Sequence, residues 1–148
     1  MSFDFEDLPL SDEIHFESED TDFSLAQPDI FRDWIRATVT REGKSLDVFT
    51  FIFCSDKYLH KVNVEYLQHD TYTDIITFDN TVNKTILSDI FISIERVKEN
   101  AKSFNVTFEN ELHRVIIHGV LHLCGYKDKT NDEAKLMRSK EDLYIKNF

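Results

Sequence analysis

The chain has 148 residues, 41% of them hydrophobic, with thirteen phenylalanines and a formal net charge of −11. That length and apolar content suit one domain spanning 1–148 with a sizeable core and exclude a disordered chain. No apolar run approaches the ~20 residues of a membrane span, and the acidic start MSFDFEDLPLSDE lacks the basic region of a signal peptide.

The acidity is local. Residues 1–33 hold eleven acids and one base, Arg32, and the remaining 115 residues hold seventeen acids and sixteen bases. An acidic N-terminal segment (residues 1–27) therefore precedes a nearly neutral body, and bulk attraction to polyanions is excluded while a local basic patch is not. Cys54 and Cys124 are the only cysteines, which reads as two reduced thiols in a cytoplasmic protein.

In chain order, EIHFESE alternates as a first strand does. From Pro28 to Val39 the apolar residues Phe31, Trp34, Ile35 and Val39 recur at helical spacing, with Pro28 in the first turn and Gly43 breaking the pattern. SLDVFTFIFCS is apolar on both faces and predicts a central strand. Ser55 caps a predicted helix through Leu67 whose inner face carries Leu59, Val62 and Tyr66. TDIITFD and TILSDIFISI predict a pair of strands joined by a turn at Asn80–Lys84. The next helix places Val97, Ala101 and Phe104 on one face; Thr107 caps the long helix after it, Gly125 ends that helix, and Thr130 with Glu133 forms a capping box for a last helix to about Ile145. The order β-α-β-α-β-β-α-α-α implies an α+β domain, a single mixed sheet of about four strands with helices packed on it.

The long helix ends in HGVLHLCGYKD, His118 to Asp128. His118 and His122 lie about 40° apart on the helix and ~6 Å along it, so both imidazoles can face one ion. The segment is otherwise apolar all round, and a buried polar group without a partner costs a few kcal/mol. Two core histidines bonded to carbonyls or carboxylates would meet that need. The pairing at i, i+4 before a terminating glycine and an acidic residue favours a metal. Gly125 can take the left-handed conformation that turns the chain back and brings Asp128 to the histidines. Two nitrogens and one oxygen suit one zinc ion with three protein ligands plus water, the catalytic pattern. Cys124 points about 200° from His122 and reads as a packed thiol. A zinc protease would need a glutamate where Gly119 stands.

These residues resemble the YbeY family of metal-dependent endoribonucleases. HGVLHLCGY fits the hallmark His-Gly-x-Leu-His-Leu-x-Gly-Tyr, which the family follows with Asp-His. NVEY, TDIITF, SDIFIS and Glu111-Leu112 are similar to its upstream segments, in order, over roughly residues 55–142. The resemblance implies a zinc ion, cleavage of single-stranded RNA, maturation of small-subunit ribosomal RNA and ribosome quality control. The implied partners are ribosomal RNA and the small subunit or its assembly factors, with no membrane and no DNA. His118 and His122 carry over as ligands. Lys127-Asp128 stands where the family has Asp-His, making Asp128 the third ligand; its charge should leave bound water less acidic than an all-histidine site would. Leu67 stands where the family has an arginine.

Arg114, one turn before His118, is a candidate for the missing arginine's role, against a plain salt bridge. Glu111, two turns before His118, is a candidate acceptor for an imidazole N–H, against a solvated or capping role. Lys127 and Lys129 are candidate contacts to the RNA backbone, against solvated loop lysines. Thr73 and Asp74, at the start of a strand the family places near the site, are further RNA-binding candidates, against a cap or turn. His15, His60, His69 and His113 have no supporting constellation. Two other readings stand beside the nuclease: a metal-dependent hydrolase of another substrate, including peptide, and a ribosome-assembly factor whose zinc is structural.

Overall fold

The computed structural model describes residues 11–69 and 71–148; residues 1–10 of the acidic segment lie outside them. Nine elements follow the anticipated order: β1 (Glu13–Ser18), α1 (Pro28–Arg41), β2 (Ser45–Cys54), α2 (Asp56–Leu67), β3 (Ile75–Asp79), β4 (Thr85–Ser93), α3 (Ile94–Ser103), α4 (Phe108–Leu123) and α5 (Asn131–Lys146). They build one four-stranded sheet in the order β1-β2-β4-β3. β1 runs parallel to β2 and β2 parallel to β4, while β3 returns antiparallel against β4. The sheet is therefore mixed, as the pattern of one tight hairpin and several helical connections requires.

Strand β2 lies between two neighbours and is apolar on both faces for the reason its sequence suggested. Phe49, Phe51 and Phe53 join Ile86, Ile90 and Ile92 of β4 in a large core beneath α1 and α4. The opposite face carries a smaller cluster, Cys54, Leu59, Val62 and Ile76, with Phe78 and Phe91 against it, beneath α2. Each fully buried Ile, Leu or Phe contributes roughly 1.5–3 kcal/mol of apolar transfer, so the core between the sheet and α4 is a main source of stability.

The helix starts are set by short polar side chains. Ser55, Ser93 and Thr107 accept hydrogen bonds from the amides of Tyr58, Arg96 and Asn110, and Thr130 with Glu133 completes the capping box. Each such cap is worth about 1 kcal/mol.

Two predicted inward residues face outward. Tyr66 is 68% exposed, its ring set nearly perpendicular to that of Phe78 in the last turns of α2. Phe104 is 63% exposed, because α3 stops at Ser103 and Phe104 is its C-cap. Strand β3 begins at Ile75, so Thr73 and Asp74 belong to the preceding loop, which the Asp74 carbonyl ties to the Ser93 amide at 2.9 Å.

Candidate functional site

Gly119 sets how α4 sits. A Cβ there would lie 2.9 Å from Cδ1 of Ile75 and 3.2 Å from Cδ1 of Ile90, so the helix backbone rests directly on β3 and β4. With Gly119 turned to the sheet, His118 is rotated 100° from it and opens toward the edge bounded by β3, the loop before it and α5. Gly125 then ends the helix at φ +110°, a backbone geometry that costs other L-residues energy. The chain turns, and Asp128 arrives beside His118.

His118 is held at both nitrogens. Its Nδ1 lies 2.7 Å from Oε2 of Glu141, and its Nε2 lies 3.3 Å from Oδ2 of Asp128. Glu141 is 4% exposed. Its other oxygen accepts a 2.9 Å hydrogen bond from Nη1 of Arg114, whose Nη2 donates to Asp142 at 2.9 Å. The carboxylate on Nδ1 orients the ring and leaves Nε2 as the nitrogen turned toward Asp128. Burial lowers the affinity of this imidazole for a second proton, but the bond to Glu141 and the charges of Glu141, Asp128 and Asp74 outweigh it, and the pKa stands above 6.5.

His122 is exposed, and its ring lies parallel to that of His118 with centroids 6.2 Å apart. His118, His122 and Asp128 all line one open cleft of about 510 Å³, together with Asn63, Leu67, His69, Thr73 and Asp74. Two imidazoles and a carboxylate are all ligand types that zinc accepts, and a carboxylate on the second ring nitrogen is the arrangement that ligating histidines show. As they stand, no three His, Cys, Asp or Glu side chains among the described residues surround a common point. His122 and Asp128 are exposed, while His118 is held by Glu141.

The remaining predicted residues distribute as follows. The carboxylate that accepts the imidazole N–H is Glu141, not Glu111: Glu111 lies two turns up α4, buried, and has no contact with the ring. Arg114 lines a second cavity of about 390 Å³ that also touches His118 and Asp128, but its guanidinium is engaged by Glu141 and Asp142. Asp74 borders both cavities. Burial drives its carboxyl above the ordinary range, and its own backbone amide, His118, Thr73 and Arg96 offset that only in part. Thr73 lines the open cleft. Lys127 and Lys129 are exposed and line neither cavity. Cys124 is buried as a packed thiol, and burial pushes it up to about 12. His113 packs among Phe31, Trp34 and Phe148, while His15 pairs with Glu13.

Two participants were not recognised in the sequence. Glu141 lies on α5, twenty-three positions after His118, and no local spacing connects them. His69 reaches the cleft through its loop: Asn63 donates from Nδ2 to the carbonyl oxygen of Thr71 at 2.9 Å, and the His69 amide donates to the Asn63 carbonyl at 3.2 Å. The Asn of NVEY was the available signal, since a buried amide in a helix end needs backbone partners.

Fold and site together define an α+β domain organised around one histidine-bearing helix and the acidic loop that follows it. Residues 13–148 match the family model described as Endoribonuclease YbeY. Curated relatives of that name include a Flavobacterium johnsoniae protein, 57% identical over 135 residues that cover 91% of this chain and 96% of the relative. A Christiangramia forsetii protein is 56% identical over 136 residues, covering 92% and 94%. The solution structure of TM1509 from Thermotoga maritima superposes with a TM-score of 0.62 at 28% identity, covering 90% of this chain and 87% of that one. The chain belongs to the YbeY endoribonuclease family.

Proposed function

We propose that this protein is a zinc-dependent hydrolase of single-stranded RNA, an endoribonuclease acting in the maturation of small-subunit ribosomal RNA and in ribosome quality control. The observation that carries the reading is the oriented His118: a buried carboxylate holds Nδ1, and Nε2 lies beside Asp128 at the wall of an open cleft that His122 shares. Membership of a family whose relatives are named endoribonucleases supports RNA as the substrate.

His118, His122 and Asp128 hold the ion. When bound, zinc supplies Lewis-acid chemistry, polarising a phosphoryl oxygen and acidifying water. Glu141 orients His118, and Arg114 neutralises Glu141, so that the pair acts on the ligand ring and not on the RNA directly. Asp74, its carboxyl pushed up by burial, lines the wall of the cleft beside His118. Thr73 lies along the RNA path, and Lys127 and Lys129 give the exposed loop two charges for the phosphate backbone. Peptide hydrolysis fits less well. The position where a zinc protease keeps its glutamate base is Gly119, which has no side chain and faces Ile75 and Ile90, not the cleft.

The test combines metal analysis with cleavage of a single-stranded RNA oligonucleotide and with precursor ribosomal-RNA profiles in cells. Wild-type protein is expected to carry about one zinc per chain. His118→Ala should lose both zinc and cleavage, and unprocessed precursor should accumulate. Cleavage by His118→Ala at the wild-type rate would refute the reading.

A further inference from the structure

The 390 Å³ cavity beside the ligand cleft contains a group that the chemistry above does not use. Glu111 is only 4% exposed and lines this cavity, yet among the described residues its carboxyl accepts no hydrogen bond. Its oxygens are not sealed from solvent: they open into the cavity, where a ligand can meet them. Its carboxylate neighbours are already committed. Glu141 has one oxygen on Arg114 and the other on His118, and Oδ2 of Asp74 faces Nδ2 of Asn100 at 3.5 Å. Across the cavity, Arg138 is exposed and pairs with no described carboxylate, while its charge acts on Glu111. Ile75, Val115, Ala134 and Met137 supply apolar walls.

One unpaired carboxyl, one unpaired guanidinium and apolar walls between them describe a slot for a flat, polar-edged ligand. The volume lies in the range of small-molecule sites. Glu111 precedes His118 by seven residues on one helix, about 10 Å along the axis, and the cavity shares His118 and Asp128 with the ligand cleft. We propose that this cavity is a base-recognition subsite that takes an unpaired guanine flanking the scissile phosphate, with Glu111 accepting from its N1–H and N2–H and Arg138 donating to its O6 and N7. Guanine is selected because it alone presents two adjacent donors to a carboxylate and a bidentate acceptor pair to an arginine. Burial and the charge of Asp74 raise the Glu111 pKa, with Arg114 and Arg138 opposing; the two guanine donors supply what the ionised carboxyl lacks. The inference deepens the ribonuclease reading and rests on it for the strand that delivers the base.

The test is fluorescence-anisotropy binding of labelled uridine heptamers, measured in EDTA so that no cleavage intervenes. The central residue is guanosine, inosine, adenosine or uridine. Guanosine should bind about tenfold more tightly than inosine, which lacks only the N2 amine, and at least as far above the other two. Glu111→Gln should erase the guanosine-over-inosine preference. Arg138→Ala, a surface change that leaves the fold untouched, should reduce the guanosine-over-uridine preference severalfold. Equal binding of all four probes, absent binding of all four, or a preference that survives Glu111→Gln would overturn the proposal. Cleavage of the guanosine heptamer in zinc is measured separately. A guanine preference without cleavage would sink the nuclease reading and leave the subsite standing, and cleavage without the preference would do the reverse.

Discussion

Glu141 links the ligand ring to the rest of the protein, and its isosteric amide separates the two roles it plays. A carboxylate accepts from Arg114 and from His118 at once; a glutamine has one acceptor oxygen and must give up one of them. Breaking a buried pair outright costs about 3–5 kcal/mol. Here Arg114 keeps its 2.9 Å bond to Asp142 and the amide retains one contact, so Glu141→Gln should cost roughly 1–3 kcal/mol, lowering the melting temperature by about 3–10 °C. Loss of the group that orients a ligating histidine weakens metal affinity by about 10–100-fold. Zinc titration against a chromophoric chelator, with thermal unfolding followed by circular dichroism, reads both quantities. Because negative neighbours outweigh burial and hold the His118 pKa above 6.5, apparent zinc affinity of the wild type should fall as pH drops through that region, where protons compete for the ring. If Glu141→Gln lost stability yet bound zinc with wild-type affinity, the claim that Glu141 positions the ligand would be wrong.

Gly119→Ala gains up to about 1 kcal/mol of helix propensity but drives a methyl to 2.9 Å from Ile75 and 3.2 Å from Ile90. The expected net cost is about 1–2 kcal/mol, seen as a lowered denaturation midpoint, and an unchanged or raised midpoint would contradict the packing argument. Glu42 accepts hydrogen bonds from Tyr126 and Tyr144 and lies 3.7 Å from Lys140. Burial raises its pKa, but the two hydroxyls and Lys140 prevail and hold it below 4.5. A depressed carboxyl stabilises the fold above its unfolded pKa and loses that contribution as pH falls through the folded value. The stability gap between wild type and Glu42→Gln, about 1–3 kcal/mol at pH 7, should therefore narrow below about pH 4.5; denaturant titrations showing a constant gap from pH 7 to 3 would dispose of it. Cys54 and Cys124 are buried and pushed up to about 12, so iodoacetamide at pH 8 should label neither in the native state and both in urea, and native labelling would place a thiol at the surface.

Local sequence made every element of this fold legible, because caps, turn residues and apolar periodicity act within a few positions, although the pairing of the strands does not. The two-sided apolar run of β2 could only be a central strand, and Thr107 and Gly125 bound α4 through its own backbone groups. The i, i+4 pair of His118 and His122 needed nothing beyond helical geometry to be seen. The exposure of Tyr66 and Phe104 was not legible, since helical periodicity marks a face without saying how far the neighbouring core extends. Tertiary structure alone decided the environment of the site. Glu141 meets His118, and Asp74 meets both cavities, only because α5 and the loop before β3 pack beside α4. Which carboxylate reaches an imidazole depends on distances across the chain, to which spacing along a helix is blind; for that reason Glu141, and not Glu111, the nearer residue in sequence, meets the His118 ring.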